Sequence, residues 1–98
     1  MTLERKMDRL GRIGIPSKVS KKLGFLENQE LEITIEYGEI CIKKFQREDV
    51  QKKQYVGIVR KMDPVNRVCI PREYLDVLKI EPGNDVCLTV EDGIIRFR

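Results

Sequence analysis

Two stretches of the sequence carry the same chemistry-bearing residues at the same spacing. Residues 5–16 read RKMDRLGRIGIP and residues 60–71 read RKMDPVNRVCIP. Each holds Arg-Lys, then an Asp two residues on, then a second Arg four residues after the Asp. Guanidinium and ammonium groups on a stiff frame neutralise phosphates, and the arginine fork also reaches guanine edges or a narrow minor groove. The Asp in each copy stands where it can pair with the following Arg and brace an Asx-type turn, a structural role rather than a catalytic one. Gly11 in one copy faces Asn66 in the other. Both residue types tolerate positive φ, so a tight left-handed turn is expected between Asp and Arg, holding Arg12 and Arg67 at fixed angles.

The two stretches belong to a longer duplication. The offset is constant: 63 − 8 = 55 for the aspartates and 71 − 16 = 55 for the prolines. The same offset pairs Leu23 with Leu78, Thr34 with Thr89, Gly38 with Gly93 and Ile40 with Ile95. The chain divides into a first repeat at 1–45, a polar linker at 46–54 that is able to hold some helix, and a second repeat at 55–98. Each repeat has only about 43 residues, near the ~40-residue floor for an independent core. Neither half is expected to fold alone, so the halves should interleave within one chain or complete themselves with another.

Each repeat reads as strand, turn, strand, short helix and hairpin. Ile13 and Ile15 alternate with Arg12 and Gly14 in a strand ended by Pro16. In SKVSKKLG, Val19 and Leu23 form the buried i,i+4 pair and Gly24 the C-terminal cap; REYLDVLK keeps Tyr74 and Leu78 as its pair. Hairpins follow, with Leu31, Ile33, Ile35, Ile40 and Ile42 facing inward around a Tyr37-Gly38 turn. Val86, Leu88, Val90, Ile95 and Phe97 do the same around Asp92-Gly93. The hairpin glutamates, alternating with these, are expected to point to solvent. Met7 and Met62 are expected in the core. Leu75 and Val77 replace Ser20 and Lys22, and would form an apolar patch on the second helix if those positions are exposed.

Charge is segregated along each repeat. From Arg5 to Lys22 seven basic residues face one acid, net +6, whereas Leu23 to Ile42 holds five glutamates and no base, net −5. Residues 58–72 repeat the basic bias at net +3. A mixed solvated surface is the plainer reading, but the same segregation in two copies favours a basic face turned toward a polyanion. No aromatic platform accompanies the basic residues, which argues against single-stranded nucleic acid. With no His, no Cys-His or Ser-His pairing, no phosphate loop and no metal-ligand cluster, neither an enzyme nor a cofactor or metal site is expected. Three cysteines without CxxC spacing read as reduced thiols. The charged N-terminus and the lack of a long apolar run give the expectation of a cytoplasmic chain without signal peptide or membrane span.

The motif [IV]-x-R-K-x-D-x-x-[GN]-R-[IV]-x-[IV]-P, the helix ending Leu-Gly and the hairpin closing on Gly-x-I-x-[IF] resemble the AbrB/SpoVT family of swapped-hairpin transcription factors, here as two tandem copies. GIVRKMD opens the second copy closely to pattern; the first begins late, at Leu3. The resemblance implies a mostly β fold with short helices, a swapped-hairpin barrel formed from two tandem β-β-α-β-β repeats. It implies a transcription regulator binding double-stranded DNA through Arg5, Lys6, Arg12 and Lys21 in the first copy and Arg60, Lys61 and Arg67 in the second. Where regulators of the family often carry two adjacent helix arginines, this chain has Ser20-Lys21 and Leu75-Asp76. The expected partners are duplex DNA and a second copy of the chain, through Leu75 and Val77. The alternative is a protein-interaction module such as a toxin-neutralising antitoxin. That reading ranks second because such proteins carry a neutralising tail after the barrel, and Arg98 follows directly on the last strand. A third is an assembly protein whose duplication drives oligomerisation.

Overall fold

The computed structural model describes residues 1–47 and 57–98. The expected linker, apart from Gln46 and Arg47, lies outside the described residues. In chain order the elements are β1 (Thr2–Lys6), β2 (Arg12–Gly14), α1 (Ser17–Leu23), β3 (Glu30–Glu36), β4 (Glu39–Lys44), β5 (Ile58–Lys61), β6 (Arg67–Cys69), α2 (Arg72–Leu78), β7 (Asp85–Glu91) and β8 (Ile94–Phe97). The protein is mostly β with two short helices, and its ladders are antiparallel.

The ladders run between the repeats as much as within them. β1 pairs with β7, from Thr2 opposite Thr89 to Lys6 opposite Asp85, and β5 pairs with β3 in the matching way. Each repeat therefore supplies its first strand to the other repeat's hairpin. The main-chain bonds beyond the strands follow the same exchange. Met7 N donates to Asn84 O and Met62 N to Gln29 O, both at 3.0 Å. With Met7 and Met62 buried, their expected place in the core is met.

Two contacts reveal the symmetry of the arrangement. In the β2–β6 ribbon Ile13 lies opposite Val68, and in the β4–β8 ladder Cys41 lies opposite Arg96. Both are residues separated by the repeat offset of 55, so each pairs with its own counterpart. A pseudo-twofold axis passes through these two points. The larger sheet runs β1-β7-β8-β4-β3-β5, with the ribbon as a separate two-stranded ladder. The expected closed barrel does not form among the described residues. β1 and β5 remain as sheet edges, because β2 meets the end of β1 only through the single bridge of Met7 with Ile13, and β2 and β6 pair with each other instead.

The local signals act as expected at the turns. Tyr37-Gly38 and Asp92-Gly93 each place two successive residues at positive φ, the conformation that matches hairpin twist. Gly24 caps α1 at φ 72°, and Phe25 N reaches back to Ser20 O at 2.7 Å, closing a Schellman end. Lys79 takes the equivalent left-handed position after α2, with Ile80 N on Leu75 O at 2.9 Å.

Three expectations are corrected. In α2 the fully buried residue is Leu75, at 0% exposure, while Tyr74 and Leu78 are half-buried. A Cβ built on Gly11 would lie 3.2 Å from Leu75 Cδ1, so Leu75 packs under the turn of the first repeat. At the matching place in α1 the buried residue is Ser20, and the Asn66 amide reaches Ser17 Oγ at 3.5 Å. No exposed Leu75–Val77 patch therefore exists: Val77 is 67% exposed, but Leu75 is core and closed to a partner.

The third correction concerns the hairpin glutamates. Glu36 is exposed, but Glu32 is only 2% exposed and Thr34 is buried beside it. Gly57 lays its backbone against this face of β3, where an added Cβ would come within 2.6 Å of Ile33 O and 2.7 Å of Glu32 Cγ. Gly57 N donates to Glu32 Oε2 at 3.1 Å, and Lys43 Nζ lies 3.7 Å from Oε1. The carboxylate is buried with hydrogen-bonding company, as burial of such a group demands.

Truncating Leu75 should open a cavity below Gly11. Leu75→Ala is expected to cost about 2–5 kcal/mol, the range for a fully buried leucine. Val77→Ala should stay within about 0.5 kcal/mol, as for an exposed surface position. Urea denaturation of the two variants checks the contrast, and equal losses would place the helix differently.

Candidate nucleic-acid interface

The β2–β6 ribbon has two unlike faces. Ile13 and Val68 point inward and are buried, so Arg12, Gly14, Arg67 and Cys69 lie on the opposite, outward face. Register places Arg12 opposite Cys69 and Gly14 opposite Arg67, which sets the two arginines diagonally across the pseudo-twofold axis.

Both arginines are braced by the aspartate four residues earlier. Asp8 Oδ1 accepts hydrogen bonds from Leu10 N (3.0 Å) and Arg12 N (2.8 Å), and Oδ2 accepts from Arg12 Nε (2.6 Å). Asp63 repeats the pattern with Val65 N (3.0 Å), Arg67 N (2.8 Å) and Arg67 Nε (2.7 Å). Gly11 at φ 82° and Asn66 at φ 61° supply the left-handed step each turn requires. Gly11 N to Asp8 O (3.0 Å) and Asn66 N to Asp63 O (3.1 Å) close the turns. The Nε atoms are engaged, whereas no contact among the described residues ties down the terminal guanidinium nitrogens of Arg12 or Arg67 by hydrogen bond. Each side chain is about one-third exposed, so a fixed fork faces solvent.

The remaining basic residues surround this centre unequally. Arg5 lies down on the ribbon, donating Nε to Gly14 O at 3.0 Å. Its counterpart Arg60 is exposed and donates Nη1 to its neighbour Val59 O at 3.3 Å. Lys6 and Lys61 are exposed at the ends of β1 and β5. Lys21 is exposed on the last turn of α1; Asp76, at the matching place on α2, is bound by Arg72 Nε at 3.1 Å. The ribbon thus brings Arg5, Arg12 and Arg67 together, while Lys6, Lys21, Arg60 and Lys61 stand on adjoining elements.

Two features escape the motif. Arg9 joins Lys6, Asp8 and Gly83 around an open cavity of about 390 Å³. It has Pro64 as its counterpart, so comparison of the repeats gives it no weight. Leu10 and Val65, matched positions at the turn apices, are 70% and 64% exposed. Their apolar character in a turn was the available signal. Among the described residues no group of His, Cys, Asp and Glu is arranged to hold a metal ion, and no helix is long and apolar enough to cross a membrane.

The Asp carboxyls are depressed below the usual aspartate range. Burial opposes the charged form, but the donors from Arg12 and Leu10 on Asp8, and from Arg67 and Val65 on Asp63, together outweigh it. A depressed carboxyl contributes stability above its unfolded pKa and loses it as pH falls through the folded one. Acidification from about pH 5 to below the ordinary aspartate pKa of ~3.9 should therefore weaken both turns. The double variant Asp8→Asn, Asp63→Asn should show a shallower decline of the urea midpoint over that window. A parallel decline in parent and variant would remove the two aspartates from the acid sensitivity.

No family model matches the chain, and no curated protein matches it. Among solved structures, the solution structure of PHS018 from Pyrococcus horikoshii is similar, with a TM-score of 0.55 and 20% identity over 97% of this chain and 86% of that one. At that identity the likeness is one of fold.

Proposed function

We propose that this protein binds double-stranded DNA through the outward face of the β2–β6 ribbon and acts as a transcription regulator of the AbrB/SpoVT type. The observation that carries the reading is the pair Arg12 and Arg67, each braced by its own aspartate and related by the pseudo-twofold axis. A fork already held in place loses little freedom when it meets a phosphate or a base edge. Two such forks related by a twofold suit a duplex, whose backbone has the same local symmetry. The exchange of first strands between the repeats supports the swapped-hairpin architecture that the family motif implies.

In this reading Arg12 and Arg67 are the central contacts, Arg5 lies beside them, and Lys6, Arg60 and Lys61 flank the ribbon. Lys21 reaches a phosphate from α1, and Asp76 denies α2 the same role. A homodimer would join two ribbons on a longer site; its interface does not use Leu75. Light scattering at tens of micromolar reads the dimer directly, and a monomer there argues against it.

Binding to genomic duplex fragments, followed by anisotropy at several salt concentrations, tests the function. Affinity should fall steeply with salt, since each neutralised phosphate releases counterions. Arg12→Ala and Arg67→Ala should each weaken binding while the protein stays folded. Lys21→Ala should weaken it and lower the salt slope by about one unit. Asp76→Ala should leave binding unchanged or improve it. Full binding by both folded arginine variants would defeat the proposal.

A further inference from the structure

The ribbon is symmetric in its arginines but not in what lies beside them. Position 14 is Gly and its counterpart, position 69, is Cys. Gly14 gives Arg5 a seat: its carbonyl accepts Arg5 Nε at 3.0 Å, and the guanidinium occupies the space a side chain would need. A Cβ at residue 14 would stand 3.2 Å from Arg5 Nη2 and 3.9 Å from Arg67 Cγ. At residue 69 that Cβ exists and carries a sulfur, whose Sγ is directed to Leu10 O at 3.6 Å. Arg60 does not occupy the corresponding place. It stays exposed and turns back on Val59 O.

We infer that Gly14 and Cys69 make the two halves of the ribbon read different bases, so that each ribbon recognises a non-palindromic stretch of duplex in one orientation. The inference rests on the DNA reading above. In one half the Arg5 guanidinium and the stem of Arg67 meet over Gly14, while the Arg67 guanidinium is held by Asp63. In the other, Arg12 faces a small thiol and Arg60 is held elsewhere. Guanidiniums at base edges carry sequence information, whereas a phosphate contact positions the protein without specifying sequence. The Lys21/Asp76 difference therefore shifts binding energy between the halves, while the Gly14/Cys69 difference changes which bases each half selects.

Selection from a random-sequence duplex pool with the full chain tests this, using Cys69→Gly and Gly14→Cys beside the parent. The parent should yield a consensus with two unlike halves within the span of each ribbon. A duplex rebuilt from two mirrored copies of either half should bind roughly tenfold more weakly, the scale of one mismatched base pair. Cys69→Gly offers both arginines a seat and Gly14→Cys offers neither, so each variant should shift toward a palindromic consensus. Arginine Nε–H resonances give a readout free of DNA: a protected signal for Arg5 in the parent, joined by Arg60 in Cys69→Gly. A parental consensus that is palindromic within the span of one ribbon, unchanged unlike halves in both folded variants, or an unprotected Arg60 in folded Cys69→Gly would overturn the inference and leave the DNA reading intact. Failure of the parent to retain any duplex would remove both.

Discussion

Everything in this molecule depends on a constraint of supply: neither repeat contains the strand its own hairpin pairs with. β3 takes β5 from the second repeat, and β7 takes β1 from the first. Once those loans are made, two residues meet their own counterparts, Ile13 with Val68 and Cys41 with Arg96. The axis so defined sets the β2–β6 ribbon at one crossing, and with it the spacing of Arg12 and Arg67. The basic face is a consequence of the exchange rather than an addition to it, because half of the ribbon comes from each repeat.

Rigidity at that face is obtained locally. A carboxylate that accepts two backbone amides and one guanidinium N–H fixes the turn and the side chain in one act. Charge-assisted bonds of this kind are about twice as strong as neutral ones. They also leave the guanidinium half-engaged, held at Nε and open at its terminal nitrogens. That division of labour distinguishes Arg12 and Arg67 from the exposed lysines around them.

Much of this was legible in the residues. Gly11 and Asn66 announced left-handed turns, Tyr37-Gly38 and Asp92-Gly93 announced hairpins, and the duplication announced that two units would complete each other. The failures have a common physical source. Period-two alternation assigns a side chain to one face of a strand but cannot tell whether the other face is also covered; Gly57 covers it at Glu32 and Thr34. In α2, helical spacing pointed to Tyr74 and Leu78, whereas Leu75 was drawn inward by the room above it at Gly11. The paired substitutions Ser20/Leu75 and Asn66/Gly11 held that information, since one side chain grows where its neighbour shrinks. The unequal seating of Arg5 and Arg60 was likewise present as Gly14 against Cys69, but its meaning appears only when β1 is seen to pass the ribbon.

The open ends of the large sheet give the flanking charges another consequence. Among the described residues β1 and β5 are the outermost strands of that sheet, and an edge strand is a template for adding a strand from another molecule. β1 carries Glu4, Arg5 and Lys6, and β5 is only four residues long and ends in Arg60-Lys61. Charged side chains on short edges are a means by which proteins discourage edge-to-edge association and the aggregation that follows. The residues at these edges thus act as gatekeepers of solubility as well as sources of positive potential. A chain stripped of them would lose that protection against sticking to itself.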